Sequence, residues 1–166
     1  MKIKIYSCGG TFEKIYDPLT GHLIFKNSCI AELIDRSRVT QETTAETILL
    51  KDSLDMTDKD RELILNKINL ETLKQIILIH GTDTMIETAK FLMSRTDPSK
   101  TIVITGAMVP YSLKNSDALF NLGSAFISLR SLKTGVWIVM NGRCFKPNEV
   151  IKNKDLGVFQ KKLKYY

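Results

Sequence analysis

The chain has 166 residues, 43% of them hydrophobic and 25% charged, which suits one globular domain with a substantial core. No stretch approaches the roughly 18 consecutive apolar residues of a membrane-spanning helix, and three widely spaced cysteines, Cys8, Cys29 and Cys144, with no Cys-x-x-Cys pair, argue against a disulfide framework or a zinc ribbon. The net charge of +6 is concentrated at one end: from Arg143 onward seven basic residues face two acidic ones, without an aromatic-interleaved basic stripe, so a solvated basic segment over about 143–166 is expected and a nucleic-acid partner is not.

The first residues read directly as a strand, Lys2 to Ser7, with no signal-like segment ahead of it, so a cytoplasmic setting is expected and a membrane partner is not. That strand runs into Cys8-Gly9-Gly10-Thr11, where two glycines permit a sharp turn and let a ligand come close to the backbone. Phe12 to Lys26 carries Asp17-Pro18 and Thr20-Gly21 and no sustained helical period, so it reads as a loop or hairpin excursion, a candidate lid beside the glycine turn. Asn27-Ser28 can cap a short helix to about Arg36, and Thr47 to Leu50 forms a second buried strand ending at Lys51-Asp52-Ser53. Thr57 and Asp60 are spaced as a capping box for a helix whose buried face is Leu63, Ile64 and Ile68.

The apolar run Ile76 to Ile79 stops abruptly at His80-Gly81-Thr82-Asp83 and reads as a buried parallel strand. Met85, Thr88, Ala89 and Leu92 then share one face of a helix, with Thr84 and Glu87 spaced as its capping box and Asp97-Pro98 as its stop. Thr101 to Ile104 is another short strand, followed by Thr105-Gly106-Ala107-Met108 and a polar loop with Pro110 and Asn115. Ser116 or Asn115 can cap a helix whose stripe is Ala118, Leu122, Ala125, Leu129 and Leu132, and Val136 to Met140 is the last clear strand.

Short apolar strands alternating with helices predict an α/β fold: a mostly parallel sheet with helices on both faces, Rossmann or flavodoxin-like, as one domain over residues 1–166. In such a sheet the turns after the strands share one edge, where unpaired backbone N–H groups bind ligands. The turns at Gly9 to Thr11, Asp52-Ser53, Gly81 to Asp83 and Gly106-Ala107 therefore bring two threonines, a serine and an aspartate to one place. His80 is the only histidine there, so a Ser-His-Asp triad is not available. His80 and His22 lack metal-ligand partners at helical spacing, and neither a dinucleotide glycine fingerprint nor a Walker loop is present. What remains is hydroxyl nucleophile chemistry on a small polar substrate, with no metal or organic cofactor expected. A threonine hydroxyl needs a base for its proton, and a lysine beside an aspartate is one such carrier; spacing alone does not choose the lysine that serves Asp83.

Gly9-Gly10-Thr11, Ser53-Leu54-Asp55-Met56-Thr57-Asp58, His80 to Ala89, Thr105-Gly106-Ala107-Met108 with Pro110, Ser116-Asp117 with Asn121, and Val139-Met140-Asn141 together resemble the amino-terminal domain of bacterial-type L-asparaginases. The resemblance covers nearly the whole chain in order, and the two threonine motifs at this separation are its specific part. It implies an amidohydrolase that splits asparagine into aspartate and ammonia through a covalent threonine intermediate. By that likeness Thr11 is the nucleophile, Thr82 the second catalytic threonine, Asp83 the carboxylate partner of a lysine, Lys152 in Val150-Ile151-Lys152 that lysine, and Tyr16 the tyrosine of a closing loop. Gly10, Ser53, Gly81 and Ala107 match substrate-binding positions, Ser53 and Asp83 at the α-carboxylate and α-amino group and the Ala107 carbonyl at the substrate amide.

Departures accompany the likeness: Cys8 stands where threonine is usual, Leu54 where the long enzymes have glutamine, and Tyr16 lies closer to Thr11 than in those enzymes. Long members use a second domain to lend an acidic residue to a neighbouring subunit's site, and this chain ends at Tyr166, so that glutamate is expected to be absent or replaced. The resemblance also implies a homo-oligomer, a dimer or tetramer. Each residue has a plainer reading as well: Thr82 and Asp83 as helix caps worth about 1 kcal/mol, Thr11 and Ser53 as turn residues, Lys152 as a solvated lysine, Tyr16 as a packed loop aromatic. The expected function is asparagine hydrolysis; its alternatives are an amino-acid-binding module with little turnover, or an amidase acting on a larger amide such as amidated tRNA.

Overall fold

The computed structural model describes residues 2–162. Its elements in chain order are β1 (Ile3–Gly9), the hairpin β2 (Ile15–Asp17) and β3 (His22–Ile24), α1 (Ile30–Arg36), β4 (Thr43–Lys51), α2 (Asp58–Leu70), β5 (Gln75–Ile79), α3 (Met85–Met93), β6 (Thr101–Thr105), α4 (Ala118–Ser128), β7 (Gly135–Met140), β8 (Arg143–Phe145), and a second hairpin of β9 (Val150–Asn153) and β10 (Val158–Lys161). Short 3-10 turns follow β1 at Thr11–Glu13 and β4 at Ser53–Asp55. The main sheet has six strands in the order β4-β1-β5-β6-β7-β8. The first five are parallel and β8 returns antiparallel at the edge.

The α/β class, the parallel sheet and the helices on both faces are as the sequence predicts, and the reason is visible strand by strand. Side chains alternate across a strand, so the unbroken apolar runs of β5 and β6 must be covered twice. Ile76, Leu78, Ile102 and Ile104 point to one face, where Ile64 and Ile68 of α2 and Ala89 and Leu92 of α3 cover them. Ile77, Ile79 and Val103 point to the other, under Ile30 and Leu33 of α1 and Leu122 and Ala125 of α4. β4 is a longer and more exposed strand than the buried run Thr47 to Leu50 suggests, because it is the sheet edge.

Three local expectations differ. Leu63 is exposed and Leu65 is buried, since Arg61, Ile64, Leu65 and Ile68 form the inner face of α2. The Thr57-Asp60 capping box is formed, but the one at Thr84 and Glu87 is not: Thr84 Oγ1 donates to the Ser53 carbonyl at 2.8 Å and Glu87 instead pairs with Arg61 at 3.2 Å. α4 begins at Ala118 behind Asp117, with Ser116 Oγ accepting from the Ala118 N–H.

The basic segment differs most from its sequence reading. Far from a solvated tail after a last strand at Met140, residues 143–161 add β8 and the β9-β10 hairpin, and Phe145, Val150 and Phe159 are buried in the core on the α2-α3 face. Arg143, Lys152 and Lys161 lie on short strands that each bury one apolar residue, Phe145, Val150 or Phe159, so the basic composition concealed the packing. Leu163 to Tyr166, including Lys164 of that segment, lie outside the described residues.

The chain reverses direction across the sheet between β1 and β5: β4 lies on one side of β1 and all later strands on the other. α1 covers one face while α2 and α3 cover the opposite one, so the first three parallel connections share one hand; α4, moving the same way as α3 but on the other face, has the opposite hand. Parallel crossovers of that second kind are rare. Here it carries the loop after β6 across the end of the sheet to the Thr11 turn, where the Tyr111 N–H donates to the Phe12 carbonyl and Ser112 Oγ donates to the Lys14 carbonyl.

Candidate active site

The turns after β1, β4, β5 and β6 meet at the strand carboxyl ends, at the switch between β1 and β5. Glycines make the meeting possible. Gly10 has φ 71° and ψ −178°, a conformation essentially restricted to glycine, and a Cβ there would lie 2.4 Å from the Gly81 Cα. A Cβ on Gly81 would lie 2.6 Å from Ser53 Oγ. The backbones of the first and third turns are thus in contact, with the buried Ser53 side chain against them. Gly106 plays the same part for the fourth turn, its missing Cβ leaving room for the His80 carbonyl and the Thr82 methyl.

Thr82 is buried and Thr11 half-buried, and among the described residues no hydrogen bond occupies the Thr11 hydroxyl. Lys152 on β9 reaches across from the far end of the chain. Its Nζ donates to Thr82 Oγ1 at 2.8 Å and to Asp83 Oδ1 at 2.8 Å, over sequence separations of 70 and 69 residues. The Lys152 side chain is 11% exposed and that of Asp83 34%. Lys152 is therefore not a solvated lysine of a tail; the hairpin that buries Phe159 presents it to the site.

Ser53 Oγ lies 3.4 Å from the Thr84 N–H and within the Gly81 contact, so it faces the turn that bears Thr82. Ala107 is buried behind Gly106, and Asn121 Nδ2 donates to the Gly106 carbonyl at 3.0 Å. Tyr16 is not brought to this cluster: it stands on β2 opposite Leu23, 54% exposed, with no hydrogen bond to either threonine among the described residues. Leu54 is exposed on the 3-10 turn beside Ser53, and Cys8 is buried in the core with its thiol pushed up by burial. Neither its position nor its environment gives Cys8 a role in the cluster.

Several residues that hold the site have no spacing signature. His80 is fully buried, and burial pushes its imidazole down to about 4, so it is neutral. The ring lies between the Gly81 carbonyl at Nδ1, 2.8 Å away, and Thr88 Oγ1 at Nε2, 2.9 Å away. Arg61 Nε in turn donates to Thr88 Oγ1 at 3.2 Å, which leaves the Thr88 proton for the histidine and the Nδ1 proton for Gly81. A polar chain thus runs from α2 to the carbonyl just before Thr82. Asp117 accepts from the Met108 and Val109 N–H groups and shapes the loop after Gly106. Asn121 Oδ1 accepts from the Asn141 N–H at 3.1 Å and Asn141 Oδ1 accepts from the Phe159 N–H at 2.9 Å, linking that loop, the end of β7 and the hairpin of Lys152. Asn121 and Asn141 belong to the motifs that carry the family resemblance, but their structural work could not be read from their positions.

This arrangement places a hydroxyl–amine–carboxylate chain on a turn in contact with the turn of Thr11, whose hydroxyl has no hydrogen bond among the described residues, an arrangement suited to acyl transfer. Comparison with known proteins agrees. Residues 2–160 match the model of the asparaginase N-terminal family. The chain is 35% identical over 111 residues to L-asparaginase 2 of Escherichia coli, covering 64% of this chain and 32% of that protein. It is 30% identical over 171 residues to a glutamyl-tRNA(Gln) amidotransferase component of Methanococcus vannielii, covering 97% of this chain and 38% of that one. The thermostable L-asparaginase from Thermococcus kodakarensis superimposes with a TM-score of 0.84 at 27% identity, over 97% of this chain and 51% of the other. The chain spans about half the length of these relatives or less. On the family match over almost all of its length, the chain belongs to the asparaginase family, within that family's N-terminal domain.

Proposed function

We propose that this chain hydrolyses L-asparagine to L-aspartate and ammonia through a threonyl ester. The observation that supports this most is the Lys152 Nζ contact of 2.8 Å to both Thr82 and Asp83, beside a turn where the Thr11 hydroxyl has no hydrogen bond among the described residues. In this reading Thr11 Oγ attacks the side-chain amide carbon, and the developing oxyanion meets backbone N–H groups of the turns. The C–N bond breaks and the Thr11 proton is carried through Thr82 and Lys152, with Asp83 holding the lysine, to leave with the nitrogen as ammonia. Water then cleaves the ester, releasing aspartate and restoring Thr11. Ser53, Gly10, Gly81 and Ala107 hold the substrate, and Tyr16 arrives when the β2-β3 hairpin closes.

We take residues 1–166 as one functional domain. A homo-oligomer, dimer or tetramer, follows from the same reading: Leu119, Phe120 and Ile127 form an exposed apolar face on α4, and Leu54 is exposed on the turn beside Ser53. A cytoplasmic setting is supported by the likeness to a chain described as a probable cytoplasmic L-asparaginase from Campylobacter jejuni, 27% identical. Ammonia release from asparagine by the purified protein, beside Thr11→Ala and Thr82→Val, tests the mechanism; equal rates in all three refute it. The relative described as part of a tRNA-dependent amidotransferase favours one second reading, an amidase acting on a larger amide such as amidated tRNA. Salt-sensitive tRNA binding that is lost when 161–166 are removed is its signature.

A further inference from the structure

We propose that Glu13 is a positioning residue: its buried carboxylate joins the Thr11 turn both to β1 and to the start of α1, and so closes the base of the hairpin that carries Tyr16. The joint rests on geometry alone, while its effect on turnover rests on the asparagine-hydrolysis reading.

Glu13 ends the 3-10 turn that Thr11 begins, and it is 1% exposed. Its carboxylate accepts hydrogen bonds from the Ser7 hydroxyl on β1 and from the Ser28 hydroxyl just ahead of α1. The Gly9 N–H donates to Ser7 Oγ at 3.3 Å, so that hydroxyl is itself held by the glycine turn. Each carboxylate oxygen thus accepts from one serine hydroxyl, Oε2 from Ser7 and Oε1 from Ser28. The two donors come from the two ends of the excursion, residue 7 before it and residue 28 after it.

The cost of this arrangement identifies its use. Burial pushes the Glu13 carboxyl up, against the hydrogen bonds that draw it down, and among the described residues it forms no ion pair. The titratable groups that face it are the thiols of Cys8 and Cys29, both pushed up chiefly by their own burial. Phe12, Ile30 and Leu33 pack on the same side of the sheet, so an apolar side chain would suit this position without any desolvation cost. Only the acceptor geometry explains a carboxylate here.

The other polar ties at this base hold the outgoing strand, with Lys14 also lying over the Phe25 ring of the returning side at 5.5 Å. Lys14 Nζ lies 2.5 Å from Asp52 Oδ2, Ser112 Oγ donates to the Lys14 carbonyl at 2.9 Å, and the Tyr111 N–H donates to the Phe12 carbonyl at 3.2 Å. The returning side is tied at Ser28 through Glu13, ahead of Ile30 and Leu33, which pack in the core. Beyond the joint the hairpin is a ladder of three residue pairs with Tyr16 and Leu23 exposed. Motion of that hairpin therefore pivots on a side chain two residues from the candidate nucleophile.

The test uses the full chain, with hydrogen exchange read by peptide over residues 9–30 and over α2 as a control for global stability. Glu13→Gln preserves size but offers one acceptor oxygen in place of two, so one of the two serine hydroxyls loses the acceptor it donates to; Ser28→Ala removes only the outer tie and Ser28→Thr restores it. Exchange over 9–30 rises about tenfold in Glu13→Gln and Ser28→Ala, stays near wild type in Ser28→Thr, and is unchanged in α2. In the same proteins kcat for ammonia release falls about tenfold or more in Glu13→Gln with a smaller change in KM. Unchanged exchange over 9–30 in both Glu13→Gln and Ser28→Ala overturns the joint, and if Glu13→Gln fails to fold, the Ser28 pair decides. Loosened exchange with an unchanged kcat overturns its catalytic role. Loosened exchange in a protein whose wild type releases no ammonia upholds the joint and counts against the hydrolysis reading instead.

Discussion

Lys152→Met separates the chemistry of the site from its packing. Methionine keeps an unbranched stem of similar length, so β9 can remain paired with β10 opposite Phe159, but the ammonium and both of its 2.8 Å hydrogen bonds are gone. Lys152 is 11% exposed and Asp83 34%, so the pair is only partly desolvated, and its loss costs about 1–2 kcal/mol of stability, visible as a lower urea midpoint with an unchanged slope. The effect on turnover is much larger. A positioned proton carrier contributes on the order of 10²–10⁴-fold, so kcat for ammonia release falls about a thousandfold. KM changes by less than about tenfold, because Ser53, Gly10, Gly81 and Ala107, which grip the substrate in this reading, are untouched. If Thr82 and Lys152 form one proton path, the double variant Thr82→Val, Lys152→Met is no slower than the worse single variant. A folded Lys152→Met protein with kcat within about threefold of wild type refutes the proton path.

Acid stability carries the mark of His80. Its folded value of about 4 lies below the ordinary 6.5, so between these values the unfolded chain binds the extra proton. The contribution is therefore present above the unfolded value and lost as pH falls from 6.5 through 4, to a total of about 3 kcal/mol. Glu13, pushed up, acts with the opposite sign. His80→Asn flattens the stability–pH curve over that window, measured by urea unfolding from pH 7 to 4; an unchanged curve removes His80 as its source. Gly10→Ala costs about 3 kcal/mol or more in urea unfolding, since φ 71° with ψ −178° and a 2.4 Å approach to Gly81 forbid a Cβ, and it abolishes ammonia release; wild-type behaviour would show that the two turns are not in contact. Asn141→Gly keeps the left-handed φ of 55° available while removing the acceptor for the Phe159 N–H, so stability falls by about 1–2 kcal/mol and kcat falls as the hairpin of Lys152 loosens; a loss of stability with full kcat detaches that link from the site.

The legible parts of this protein are those set by local pattern. β5 and β6 announce themselves because a strand buried on both faces has no polar positions, and their turns because glycine and threonine follow abruptly. Thr57 and Asp60 form the expected cap because a capping box closes within one turn of chain. Thr84 and Glu87 have the same spacing yet form no box, because Ser53 and Arg61, distant in sequence, offer partners that the local pattern does not contain.

The candidate site divides along the same line. By themselves the residues indicate that Thr11, Ser53, Thr82 and Asp83 share one sheet edge, since parallel strands oblige their turns to do so, and likeness to the asparaginases attaches roles to them. Local pattern does not reveal which lysine completes the set, because Lys152 reaches Thr82 and Asp83 over some 70 residues through a hairpin whose burial shows only in Val150 and Phe159. Nor does it reveal Glu13, whose partners at Ser7 and Ser28 are set by the path of the excursion between them. Strand, turn and glycine preferences are properties of neighbours in sequence and were written there. The partners of buried polar groups depend on which segments pack together, and only the tertiary structure decides that.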